Sequence, residues 1–215
     1  MSTDYQDSPP SIQISSIKRI RGKAILQLSN GTTLSMPRVM LKERPYRSGM
    51  AFDRSSFDAF LIDRSYSYAL EKAIRLLAAR SRTEKEIEIS LRQNAYPEIT
   101  IARVMERLLK ANYLNDSEFA ANWAASRSTK GIGVSRIRME LRQKGIAQEE
   151  IDTALEALEE ADIIASAIKV AEKAARGKDL SSREDQQKVI AALVRRGYDF
   201  SVARRALLDI LNQSE

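Results

Sequence analysis

The chain has 215 residues, 43% of them hydrophobic and 30% charged, a balance that supports a buried core and is too apolar for a disordered polymer. Cysteine and histidine are both absent, which excludes disulfides, thiol nucleophiles, imidazole acid–base chemistry and the usual zinc sites. The formal charge of +6 suggests an acidic partner such as nucleic acid, although many basic proteins bind none.

Only eight Gly and five Pro, with abundant Ala, Leu, Arg, Glu and Ile, favour long helices over many tight turns. The opening MSTDYQDSPPS reads as a disordered tail over residues 1–11. It lacks the positive start and apolar stretch of a signal peptide, and no apolar run approaches the ~20 residues of a membrane span. A cytoplasmic protein without a membrane partner is expected.

Residues 12–65 form an N-terminal segment with a β-hairpin signal: Ala24, Leu26 and Leu28 alternate, Asn30-Gly31 follows, and Thr32, Leu34 and Met36 resume the alternation. A two-residue Asn-Gly loop would split the apolar set between two faces. A Ser29-Asn30-Gly31 loop with a left-handed Gly31 pairs Leu26 with Leu34 and Ala24 with Met36 on one face, and is preferred. From Val39 to Asp63 the pattern is unclear, with short helical stretches around Pro45 and Gly49.

From Tyr66 onward the chain repeats itself. Ile87, Leu91, Ala95, Tyr96, Ile101, Val104, Met105 and Leu108 map onto Ile137, Leu141, Gly145, Ile146, Ile151, Ala154, Leu155 and Leu158. A third copy supplies Val189, Leu193, Gly197, Tyr198, Ala203, Ala206, Leu207 and Ile210. Three tandem three-helix repeats over residues 66–114, 115–160 and 161–215 are therefore predicted, in a mainly α chain that packs end to end as an elongated, curved body. First helices are expected over Tyr68–Ala79, Asp116–Ser128 and Asp162–Ala175. Ile151, Ala154, Leu155 and Leu158 have the spacing of one buried helical stripe, and Asn115 with Glu118 has that of a capping box. Ala95 stands where Gly145 and Gly197 end the second helix, so the first copy's turn is expected to differ.

Net charge is +4 over residues 1–65, +3 over 66–114, −3 over 115–160 and +2 over 161–215. The middle copy is divided: Arg127, Lys130, Arg136, Arg138, Arg142 and Lys144 precede a run of acids from Glu149 to Glu160. Arg138 and Arg142 stack at i, i+4, which is slightly unfavourable unless an anion or carboxylate lies over them. Either a partner or the acidic third helix can supply it. Gly131 and Gly133 open a helix whose amides could meet an anion near Lys130, or simply make a turn; the terminal Gly-Lys-Ser/Thr of a Walker loop is missing. Trp123, four residues after Phe119, suits core packing better than base stacking. Arg195, Arg196, Arg204 and Arg205 form a second basic set, and Arg92 occupies the same repeat position as Arg142. Asp152 and Glu156 read as a polar helix face rather than a magnesium site. No catalytic, metal or cofactor site is expected.

YLNDSEFAANWAASR, at Tyr113 to Arg127, followed by KGIGVSRIRMELRQKGI, at Lys130 to Ile146, resembles the central signature of the RecX family, bacterial regulators of the RecA recombinase. LLAARSRTEKEIEISLRQNAY, at Leu76 to Tyr96, is similar to that family's first-repeat pattern. Val134 stands where Pro is common, Trp123 where Tyr is common, and Asn94-Ala95 replaces a residue-Gly pair. The resemblance implies a monomeric, non-enzymatic modulator that lies along the groove of a RecA–DNA filament. It would suppress the filament's ATPase, strand exchange and co-protease activities, in DNA repair, homologous recombination and the SOS response, with single- or double-stranded DNA as a weaker partner. Lys130, Arg136, Arg138, Arg142, Lys144, Arg92, Arg195, Arg196, Arg204 and Arg205 are the candidate partner-binding residues. The alternative is a helix-turn-helix DNA-binding protein acting without RecA, against which the acidic third helix of the middle copy counts.

Overall fold

The computed structural model describes residues 12–212, so the tail expected over residues 1–11 lies outside the described residues. The described residues fall into two compact units: residues 12–82 with 86–114, and residues 83–85 with 115–212.

The first unit opens with an antiparallel meander of β1 (Ile14–Ile20), β2 (Lys23–Leu28) and β3 (Thr33–Pro37). The second and third strands pair Ala24 with Met36 and Leu26 with Leu34, as the bulged loop requires. Gly31 is left-handed at φ +82°, and the Leu28 amide donates to the Thr32 carbonyl at 2.9 Å. Ala24, Leu26, Leu28 and Met36 are all buried. The first strand was not foreseen. Its isoleucines, Ile14, Ile17 and Ile20, fall three apart, which hides the period of two by which strands are recognised; the register shift between Ile14 and Ser16 accommodates the first of these steps.

A 3₁₀ turn over Arg38–Lys42 leads to α1 (Arg54–Ala79), which begins at Arg54 rather than at the expected Tyr68. Asp53 caps it, its carboxylate accepting from the Ser56 amide at 2.7 Å. The helix serves two cores. Phe57 and Leu61 pack with Leu26, Met36 and Met40 against the sheet. Ala69 and Ala73 pack with Ile87 and Leu91 of α2 (Glu84–Gln93) and Ile101, Val104 and Leu108 of α3 (Glu98–Lys110). Between these sets Ser65 is fully buried, sharing a hydroxyl hydrogen bond of 2.6 Å with Thr100. The division expected at residues 65 and 66 thus lies inside one helix, where one core gives way to the next.

In the second unit α4 (Asp116–Thr129), α5 (Val134–Lys144) and α6 (Gln148–Glu156) make the middle repeat, and α7 (Glu160–Ala175), α8 (Arg183–Arg195) and α9 (Phe200–Asn212) the last. Asn115 caps α4 by accepting from the Glu118 amide at 3.0 Å, as its spacing predicts. Ile137, Leu141, Ile146, Ile151, Ala154 and Leu155 fill the first of these cores, and Val189, Leu193, Tyr198, Ala203, Ala206, Leu207 and Ile210 the second. One detail departs from the expected stripe: α6 ends at Glu156, so Leu158 packs half-buried from the connection to α7.

The turn after each second helix is the same in all three copies. Ala95, Gly145 and Gly197 have φ of +60°, +89° and +92°. The next amide, of Tyr96, Ile146 or Tyr198, bonds back to the carbonyl of Leu91, Leu141 or Leu193 at 3.3, 3.2 and 3.2 Å. The first copy therefore does not differ as expected: Ala95 takes the left-handed conformation without the glycine that makes it easy.

Candidate partner-binding surface

The repeated turn is also a joint. Gly133 donates its amide to the Arg196 carbonyl at 2.9 Å, and the Ser135 amide donates to the Gly197 carbonyl at 3.1 Å. These are N-terminal amides of α5, which the sequence left open to an anion. They are occupied by the α8–α9 turn, so the two glycines act as turn and close-approach residues. A Cβ on Gly133 would stand 2.1 Å from the Gly197 carbonyl carbon. The equivalent contact one copy earlier has the Thr83 hydroxyl donating to the Lys144 carbonyl at 2.8 Å.

Most arginines of the basic run have acceptors within their own repeat. Arg127 grips Glu140 through two bonds, Nη2 to Oε1 at 2.5 Å and Nε to Oε2 at 2.7 Å. Trp123 Nε1 donates to the same carboxylate at 3.1 Å, and Arg136 stands 3.7 Å from it. The Arg127 hydrogen bonds, with smaller help from Trp123 and Arg136, hold the Glu140 carboxyl below its ordinary range despite burial. Trp123 stacks on Phe119 with ring centroids 5.7 Å apart, and the Lys144 ammonium lies 4.5 Å from the Trp123 ring centre. Trp123 is thus covered by protein groups rather than free to stack on a base.

Arg138 pairs with Asp152 of α6, whose carboxyl is held low by hydrogen bonds from Gln148 and Arg138. Arg142 instead donates Nε and Nη2 to the neutral Gln148 Oε1, at 2.9 and 2.8 Å. Its counterpart Arg92 meets two acids, Glu88 and Glu98, both at 3.0 Å. The same station in the third copy holds Val194 and Phe200, 46% and 63% exposed. One position thus runs from neutralised arginine, through arginine with a neutral partner, to apolar surface.

Lys130 and Arg196 come together across the sequence. They line a cavity of about 410 Å³ with Lys169, Lys173, Val170 and Ala174. Arg196 Nη1 donates to the Gly131 carbonyl at 3.3 Å, and Ser166 fixes the wall by donating to the Ser128 carbonyl at 2.7 Å and meeting the Tyr198 hydroxyl at 2.9 Å. Lys169 and Lys173 were missed by the sequence reading, although their i, i+4 spacing on one helix was a visible signal. Arg195 and Arg204 are exposed, and Arg205 reaches Glu160 at 3.3 Å. The first turn of α6, where a recognition helix would read DNA, carries Glu149 and Glu150. Among the described residues no group of three or more acids could hold a metal, and no helix is long and apolar enough to cross a membrane.

Comparison with known proteins agrees with this three-part architecture. Family descriptions for the first, second and third three-helix domains of RecX match residues 69–108, 115–155 and 160–207. The chain belongs to the RecX family. Regulatory protein RecX of Prosthecochloris aestuarii is 36% identical over 144 residues, covering 66% of this chain and 93% of that protein. The RecX of Bacillus licheniformis is also 36% identical, over 139 residues, and the match spans about half of its length, 53%. A crystal structure of regulatory protein RecX aligns with a TM-score of 0.61 over 90% of this chain and 97% of that one; at 24% identity it supports the fold alone. The family is one of regulatory proteins.

Proposed function

We propose that this protein binds RecA filaments on DNA and chiefly inhibits the recombinase's ATPase, strand exchange and co-protease activities. It acts in the cytoplasm as a monomer without catalysis of its own, within DNA repair and the SOS response. Membership of a family of regulatory proteins carries this reading. The distribution of charge supports it. Lys130, Lys169, Lys173 and Arg196 around one cavity, with Arg142, Arg195 and Arg204 elsewhere on the second unit, offer positive charge to an acidic filament surface or to its DNA. Several modest contacts along a polymer add as avidity.

The test is the ATPase of RecA on single-stranded DNA with this protein titrated in. Inhibition near stoichiometric ratios is expected. An unchanged rate would remove the proposal, and sequence-selective duplex binding without RecA would favour the helix-turn-helix alternative.

A further inference from the structure

A second basic cavity lies in the first unit, outside the surface just described. Its volume is about 520 Å³, within the ordinary range for small-molecule sites. Two elements supply its cations in pairs: Arg38 and Lys42 from the 3₁₀ turn, Lys72 and Arg75 from α1. Val39 and Leu76 give it apolar wall, with the half-buried Tyr68 beside them, while Tyr96 reaches it from the core and is only 6% exposed. At one end Gly22 and Asn94 meet so closely that a Cβ on Gly22 would fall 2.0 Å from Asn94 Oδ1. The cavity is therefore formed by the docking of the β1–β2 turn on the turn that follows α2.

Most of the positive charge around it lacks a carboxylate partner. None of the lining residues is acidic. Arg75 has a partner in Glu71, at 3.5 Å and with both side chains well exposed. Glu43, the other nearby acid, accepts from the Tyr68 hydroxyl at 2.5 Å and stands 3.8 Å from Arg64. No carboxylate reaches Arg38, Lys42 or Lys72 among the described residues. Lys72 is half-buried, and its proton affinity is lowered by that burial and then by Arg75, Arg21 and Arg82. Gathering like charges is unfavourable, most of all at the half-buried Lys72, and an anion that enters offsets the repulsion.

Three features choose the anion. Several positive charges converge on a compact volume, which matches a ligand with several negative charges close together. Two of the cations are guanidinium groups, whose planar fork of donors fits phosphate oxygens. The apolar and phenolic wall offers a face to a heteroaromatic ring. The geometry points to a nucleotide-binding site: phosphates held by Arg38, Lys42, Lys72 and Arg75, with the base against Val39, Leu76 and Tyr68. The phosphate can come from a free nucleoside polyphosphate or from a nucleotide unit of a single strand. The site does not depend on the proposed action on RecA.

The experiment is calorimetric titration of the full chain at low salt with ATP, with inorganic pyrophosphate and with a short oligothymidylate. ATP is expected to bind saturably with one site per chain, and pyrophosphate to compete with it. Lys72→Ala and the surface pair Arg38→Ala with Lys42→Ala should each weaken binding at least about tenfold. Arg107→Ala with Lys178→Ala removes equal charge elsewhere and should leave binding unchanged. Circular dichroism checks the fold, and the exposed Arg38 and Lys42 keep the test available if Lys72→Ala unfolds. If the oligothymidylate alone binds, with the same sensitivity to these variants, the strand is the source of the phosphate and the site stands. Failure of all three probes to saturate, or binding that the cavity variants leave untouched, overturns the assignment.

Discussion

Ala95 is the residue whose chemistry disagrees most with its backbone. At φ +60° its Cβ crowds the following carbonyl, a cost of about 1–2 kcal/mol that glycine avoids, and the two equivalent turns have glycine. Ala95→Gly should therefore raise stability, by about 0.5–1 kcal/mol once the added freedom of the unfolded chain is counted against it. Denaturant midpoints of the two proteins check this, and a less stable variant would mean that the methyl makes packing contacts outweighing the strain. Glu140 lies at the opposite extreme, with three donors converging on one carboxylate. Because its carboxyl is held below the ordinary range in the folded state, its stabilisation is complete above the unfolded pKa of about 4.3 and is lost as pH falls through the lower folded value. Glu140→Gln should cost about 1–3 kcal/mol near neutral pH. In melting curves recorded at falling pH, the gap from wild type should close below about pH 4.

Elements show how far a sequence discloses its own structure. The β2–β3 register was legible because only one loop length puts Leu26, Leu34, Ala24 and Met36 on one face. The first strand was hidden by the spacing of its isoleucines, and the first half of α1 by polar residues such as Ser65, whose burial depends on a hydroxyl partner in α3 that no local pattern reveals. The helices of the repeats were legible from their period, yet the joint between the middle and last repeats was not, since nothing along the chain says that Gly133 will lie against Gly197. For the same reason the basic residues could be named while their partners could not: Arg92 and Arg142 look alike until Glu98 and Gln148 are seen beside them. The joint itself can be tested. A methyl at Gly133 meets backbone, whereas one at Gly31 meets open space and suffers only from its positive φ. Gly133→Ala should cost about 1–3 kcal/mol through overpacking, and more than Gly31→Ala. Hydrogen exchange should then show protection falling in α5 and α8 together, while Gly31→Ala affects the hairpin alone.

For the whole molecule, the charge of +6 overstates some cations and understates others, because intramolecular partners divide the basic residues into two classes. Arg92, Arg127 and Arg138 face carboxylates already. Lys130, Lys169, Lys173 and Arg196 face a cavity with no acid in its lining. An exposed ion pair contributes only about 0–1 kcal/mol to folding, but it lowers what the same arginine can offer a partner, since the acid beside it screens the charge and must be displaced. The proposed filament-binding role therefore predicts unequal losses between Arg92, a candidate from the sequence, and the cavity lysines that only the structure brings in. Lys169→Glu with Lys173→Glu should raise the concentration giving half-maximal inhibition of the RecA ATPase by about tenfold or more, and the effect should shrink as salt is raised. Arg92→Ala should shift it less than about threefold, because its departure removes a charge that Glu88 and Glu98 had already balanced. Circular dichroism on each variant separates lost binding from lost folding. Equal losses at Arg92 and at the lysine pair would mean that the filament reads the basic residues by position in the repeat, and that intramolecular pairing does not decide which of them it meets.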